Sequence, residues 1–353
     1  LNEEISLMID LRSDTVTKPT PEMLHAITHA KLGDDVMRDD PTVLRLEEVT
    51  AEILGKEAAI YMPSGSMTNQ IAVRLHCQPG AEFICETTCH VYNMEQGAFS
   101  QLSGVVARPI EAEQGVWRLE QLQRLIRPCD DHQVRTRLVT MENTHNRAGG
   151  RVVPYDRTAE ICSWAHDSGL VTHLDGARLF NAVVATGIGA DQWASHFDTV
   201  SVCFSKGLGA PVGSALAGPA TLIREAQRHR KLFGGSMRQA GIIAAGALHA
   251  LENHIDRLAE DHQHAQILGK AVNQCEGLSL PGESIDTNIV IFAVDEQLGT
   301  AKQVVQRLAE QDIAVSAIAP QLIRAVTHLG IKEQDVRQVG RALQEIGSQI
   351  AGV

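Results

Sequence analysis

Seven short runs rich in β-branched, aromatic and other apolar residues recur between longer helical patterns: AAIYM (58–62), EFICE (82–86), VVARPI (105–110), RLVTME (137–142), LVTHLD (170–175), TVSVCF (199–204) and SALAG (214–218). Strands spaced in this way by helices point to an α/β chain with a mostly parallel sheet. The helices are legible too. Val43, Leu46, Val49 and Ile53 recur at three- and four-residue steps, and Pro154 marks a helix start for residues 155–166. After residue 219 the pattern changes to long helices over about 219–232, 238–256 and 258–275, then the strand TNIVIFAV, a helix, a strand pair and a terminal helix. That order suits a smaller α+β unit. At 353 residues with 44% hydrophobic content the chain can bury two cores. The change of pattern divides it into a large unit over 8–250, N-terminal segment included, and a small C-terminal one over 251–353.

A formal net charge of −12 repels phosphate backbones and anionic membrane surfaces, which sets nucleic acid aside as a partner. No run approaches the ~20 apolar residues of a membrane span, and LNEEISLMIDLRSD at the start lacks a basic leader and an apolar signal run. Because the sequence opens on Leu1, the natural start is expected at Met8 or upstream. Cys77, Cys85, Cys89, Cys129, Cys162, Cys203 and Cys275 form an odd set without a C-x-x-C pair, several of them inside apolar runs, so a reducing cytoplasm is the expected compartment.

Chemistry concentrates where strands end. VSVCFSKGLGAPVG delivers Ser205 and Lys206 from an apolar strand into a glycine-rich turn. Desolvation there disfavours the ammonium form, so Lys206 is a Schiff-base candidate, against the plainer alternative of a surface lysine in a turn. LVTHLDGARLFNA ends a strand at Asp175 and opens the next segment with Arg178. A carboxylate outside the carboxyl end of a strand can keep a pyridine nitrogen protonated, and Arg178 can hold a phenolate or a carboxylate; the alternative is an Asp capping the next helix. YMPSGSMTNQIAV places Ser64, Gly65 and Ser66 before a helix, either as a phosphate cup or as an ordinary turn with Ser66 as N-cap. TTCHVYNMEQG and MENTHNRAGG bring His90 and His145 to strand ends, where most histidines would be structural. His262 and His264, two apart in a helical pattern, face different directions and suggest no metal site. Phosphate cup, ring-facing histidine, pyridine partner and Schiff-base lysine occur in one order along the chain, and pyridoxal phosphate (PLP) explains all four.

With these motifs the sequence resembles the threonine aldolases (low-specificity L-threonine and L-allo-threonine aldolases) of the fold-type I PLP enzymes. IDLRSDT, GDDV with DDPTV, GKEAA, PSGS, ENTHN, HLDGARLFNA, SKGLGAPVGS and GGSMRQAG all occur in the family's order, from residue 9 to residue 330. The resemblance implies the aspartate-aminotransferase-like fold, with a mostly parallel seven-stranded sheet. It matches Lys206 to the PLP lysine, Asp175 to the partner of the pyridine nitrogen, Ser64, Gly65 and Ser66 to the phosphate cup, and His90 to the ring-stacking histidine. Ser205 joins the cofactor-binding set. Ser13, Arg178 and Arg324 match the groups holding the substrate α-carboxylate, His145 a histidine near the β-hydroxyl, and Lys231 and Arg238 basic residues near the site. A homotetramer, built as a dimer of dimers with sites at the dimer interface, is implied as well. One departure is GDDVMRDDP, with Met37 and Arg38 where the family typically has Tyr and Gly.

The expected reaction is cleavage of a β-hydroxy-α-amino acid to glycine and an aldehyde, with His145 or His90 as the base. Other PLP reactions on the same fold, β-elimination, racemisation or transamination, compete with it, as does a non-catalytic PLP-binding protein. The retained clamp of Ser13, Arg178 and Arg324 argues against the last. A nicotinamide dehydrogenase is set aside because Gly207, Gly209 and Gly213 lack the G-x-G-x-x-G spacing.

Overall fold

The computed structural model describes residues 8–128, 130–282 and 284–348; Leu1 and Cys129, which entered the sequence reading, lie outside them. All seven expected strands form, and they join in one sheet in the order 58–62, 214–218, 199–203, 171–176, 136–142, 82–86, 106–110. Neighbours are parallel except around Ser214–Gly218, which runs antiparallel to both Ala58–Met62 and Thr199–Cys203. Helices cover both faces, so Glu82–Glu86 and Thr199–Cys203 are buried along their whole length, which is why they read as nearly continuous runs rather than alternating ones.

Helix Pro41–Leu54 shows how local sequence sets this packing. Asp40 caps it by accepting the N–H groups of Thr42 and Val43, Pro41 fixes the first turn, and Gly55 ends it in the left-handed region at φ 59°. Val43, Leu46 and Val49 then face Ala59 and Tyr61 in the large core. Truncating a fully buried leucine such as Leu46 to alanine costs about 2–5 kcal/mol.

The small unit is a four-stranded antiparallel sheet ordered 316–319, 322–326, 289–294, 278–279, backed by Ala301–Ala309 and Glu333–Gly347. Leu251 and Leu258 pack in the large core, whereas Ala265, Leu268 and Val272 pack in the small one. We therefore place the join inside helix Leu258–Asn273 rather than after residue 250. The N-terminal segment also sorts differently from the sequence expectation. Ile9–Asp10 pairs in parallel with Ile313–Ala314, and Ile9 and Leu11 are buried in the small unit's core. This anchoring has a consequence for chemistry, because the next residues, Ser13 and Asp14, are carried to the ends of the large sheet's parallel strands. Among the described residues no helix is long and apolar enough to cross a membrane.

Candidate active site

A cavity of about 330 Å³ opens at the carboxyl ends of the parallel strands, where an open α/β sheet usually binds ligands. Ser13, Ser64, Gly65, Ser66, His90, Asp175, Arg178, Ser205, Lys206 and Arg324 all line it, so ten of the expected site residues meet in one place. Lys206 sits in the turn after Thr199–Cys203. Its carbonyl accepts the Gly209 N–H (2.8 Å) and the Thr17 hydroxyl (3.2 Å), and Phe204 N–H is tied to the Gly213 carbonyl (3.0 Å). Gly209 has φ +81°, and a Cβ there would stand 2.7 Å from Leu329 Cδ2, so the turn requires glycine at this position.

On the opposite wall, helix Gly65–His76 presents its N-terminus. Its N-cap is Ser64, whose hydroxyl accepts from Met67 N–H, and not Ser66 as expected from the sequence; the helix simply starts earlier, at Gly65. The free N–H groups of a first turn attract an anion. Two hydroxyl oxygens nearby, Thr144 Oγ1 and Ser214 Oγ, are buried and lack hydrogen-bond partners among the described residues. Thr144 lines the cavity, and Ser214 Oγ lies 3.6 Å from the position of a Cβ on Gly65. A helix N-terminus for phosphate, an amine, a carboxylate for a ring nitrogen and spare hydroxyls make a donor set that fits PLP.

Between these walls lies a buried polar network. Asp175 Oδ1 accepts the Ala177 N–H (3.1 Å), as a local cap would, but Oδ2 accepts from Asn69 Nδ2 (2.8 Å). The same Asn69 nitrogen donates to Glu95 Oε1 (2.9 Å), and Glu95 Oε1 is 2.7 Å from His90 Nδ1. The hydrogen bond to Glu95, helped by the charges of Asp175 and Glu95, raises the pKa of His90 against the opposing effect of burial. Glu142 fixes the backbone on either side, accepting the N–H groups of His90 (2.7 Å) and Asn146 (2.8 Å).

The third wall is cationic. Arg178 is buried and makes a bidentate pair with Asp14, both bonds 2.7 Å. Burial alone would raise the Asp14 carboxyl, but the Arg178 charge and hydrogen bonds bring it down to about 2. Arg178 Nη1 and Arg324 Nη1 converge on Asn146 Oδ1 at 3.4 and 3.3 Å, and Arg324 Nε is buried without a partner among the described residues. Burial and the nearby Arg178 charge lower the pKa of Arg324. Two guanidinium groups sharing one neutral oxygen, with a spare donor, form a slot for a carboxylate.

Three expected residues are placed elsewhere. His145 is 1% exposed and does not line the cavity: its Nε2 lies 3.0 Å from Glu86 Oε2, and its ring packs so closely on Gly115 that a Cβ there would be 2.5 Å from His145 Cγ. Burial opposes protonation of this ring, yet Glu86 and the charge of Glu142 raise its pKa on balance. Lys231 and Arg238 are exposed, outside the cavity, Arg238 pairing with Asp34 at 2.9 Å. Met37 is 69% exposed on the adjoining turn, and Arg38 takes φ 61°, the left-handed region that glycine enters freely, while its guanidinium pairs with Glu47 and Asp35. The sequence reading missed Asp14, Asn69, Glu95, Glu142 and Asn146. Asp14 and Asn146 stand next to predicted residues and could have been flagged by that alone.

A family model described as Beta-eliminating lyase matches residues 10–297. The low specificity L-threonine aldolase of Escherichia coli K12 is 40% identical over 333 residues, 94% of this chain and 97% of that protein. Among solved structures, a Leishmania major threonine aldolase superposes with TM-score 0.82 at 19% identity, covering 97% of this chain and 99% of that one. SPT, solved with PLP, superposes with TM-score 0.76 at 17% identity over 98% and 89%. The two structural likenesses bear on the fold, which is that of the fold-type I PLP enzymes.

Proposed function

Because this chain belongs to the Beta-eliminating lyase family and, within it, to the low-specificity L-threonine aldolases, we propose that it is a PLP-dependent aldehyde-lyase that cleaves L-threonine and L-allo-threonine to glycine and acetaldehyde. The observation that carries this reading is the meeting of Lys206, Asp175 and His90 with the Arg178–Arg324 slot in one cavity. PLP, when bound, supplies an electron sink for the pair released as the Cα–Cβ bond breaks.

The chain's own residues do the rest. Lys206 would hold the cofactor through its side-chain amine. Ser64, Gly65 and Ser66 would hold its phosphate at the helix N-terminus and Asp175 its ring nitrogen, with Ser205 beside the lysine in the turn. Ser13, Arg178 and Arg324 hold the α-carboxylate. That clamp selects the bond to be broken, because a fixed carboxylate and amine leave one orientation for the β-carbon. His90 is the cavity-lining histidine, so it takes the β-hydroxyl proton, the role that the sequence left open between it and His145.

Asp34, Asp35 and Arg238 join the turn carrying Met37 to the exposed basic segment with Lys231 and Arg238. The exposed side chains of Met37, Lys231 and Arg238 suit a face shared with a second copy, in a homotetramer of cytoplasmic location. Lys206→Ala is expected to abolish turnover and remove the visible absorption of the lysine-bound cofactor. Undiminished turnover in that variant would overturn the assignment.

A further inference from the structure

We propose that Glu95 is a positioning residue for the reaction: its carboxylate holds His90 with the proton on Nδ1, which leaves Nε2 bare on a ring that lines the cavity. The inference rests on the reading of His90 as the base.

The hydrogen-bond network leaves little choice of proton positions. His173 is fully buried, and desolvation depresses its pKa to about 3, so it is neutral and carries one N–H. Its Nε2 is 3.2 Å from Asn69 Oδ1 and its Nδ1 is 2.9 Å from the Thr199 hydroxyl. An amide oxygen only accepts, so the proton is on Nε2, and Thr199 donates to Nδ1. The orientation of Asn69 is itself set by two carboxylate oxygens, Asp175 Oδ2 and Glu95 Oε1, which accept from its NH₂ group and leave Oδ1 for His173. Glu95 is 5% exposed, and its other oxygen accepts from Gln70 Nε2 at 2.6 Å. Two amide donors, Asn69 Nδ2 and Gln70 Nε2, point at its two oxygens, and a carboxylate offers only acceptors. His90 Nδ1, at 2.7 Å, must therefore be its donor.

The consequence is chemical as well as geometric. A base that gains a proton on Nε2 becomes a cation, and a buried carboxylate on the other nitrogen stabilises it. Ligand atoms of His90, Glu95 and Asp175 lie within 4.8 Å of one another, so Asn69 links the histidine's carboxylate to the carboxylate that serves the pyridine ring. The other charged groups on the cavity, Glu142, Lys206, Arg178 and Arg324, make no hydrogen bond to the His90 ring.

The test is nuclear magnetic resonance of nitrogen-labelled histidine in the holoenzyme, with pH profiles of wild type and Glu95→Gln. The wild-type His90 signal is expected to report the Nδ1–H tautomer above its pKa. In Glu95→Gln the acid limb of kcat/KM is expected to move to lower pH, in step with the His90 titration, and kcat/KM to fall roughly ten- to a hundredfold. PLP content should stay at the wild-type level. An Nε2–H tautomer in the wild type would overturn the inference about Glu95 and needs no variant to fold. An Nδ1–H tautomer combined with an unmoved acid limb would instead overturn His90 as the base, and with it any part for Glu95 in turnover.

Discussion

His145 and His90 looked equivalent in the sequence, each following a strand in a motif of the same kind. The fold separates them through their partners: His145 meets Glu86, 59 positions away, which sequence spacing could not announce, whereas His90 meets Glu95, five positions along its own segment. That Lys206 and Asp175 come to the cavity follows from their own place at a strand end, which the sequence shows, whereas the placing of Asn69 by a distant Asp175 leaves no such mark. The difference has a measurable result. His145→Phe is expected to cost about 1–3 kcal/mol in urea unfolding, because it leaves the buried Glu86 short of a donor. The ratio of rates on L-threonine and L-allo-threonine should not change, as His145 does not reach the cavity. A changed ratio would put this ring in contact with substrate.

Elements were read closely. Each of the seven strands falls within one residue of its expected ends, and helix Pro41–Leu54 is bounded by its proline start and glycine stop. The start of Gly65–His76 was misjudged because Ser64 and Ser66 are chemically equal as caps, and the φ and ψ values that choose between them come from the strand that precedes. The turn after Thr199–Cys203 shows how an element places chemistry, since Gly209 holds the hydrogen bond to the Lys206 carbonyl in a left-handed conformation. Gly209→Ala is expected to cost about 1–2 kcal/mol for that backbone alone, with more from the approach to Leu329. By displacing Lys206 it should also lower the fraction of enzyme loaded with PLP. Full loading at wild-type stability would show that the turn tolerates a side chain.

At the scale of the whole molecule, the change from short strands to long helices suggested two units, and the buried residues fall into a larger and a smaller core. The return of the N-terminal segment to the small unit was not visible, because two residues of parallel pairing leave no periodic signal. Burial across both units also sets the response to acid. Desolvation lowers the pKa of His173 to about 3 and those of His76 and His262 to about 4, below the unfolded value of about 6.5. The unfolded chain therefore binds more protons than the folded one between about pH 6.5 and 4, and stability falls as pH drops through that window. Each such group contributes up to about 1.4 kcal/mol per pH unit. His90 and His145, whose pKa values are raised, lose their stabilising effect only above that window, as pH rises through their folded values. The urea midpoint is thus expected to decrease from pH 6.5 to 5, and a constant or rising midpoint would contradict the burial of these rings. The central claim is tested most directly by the products formed from L-threonine. The purified enzyme should release glycine and acetaldehyde in equal amounts, whereas 2-oxobutanoate and ammonia would show that the same site eliminates instead of cleaving the Cα–Cβ bond.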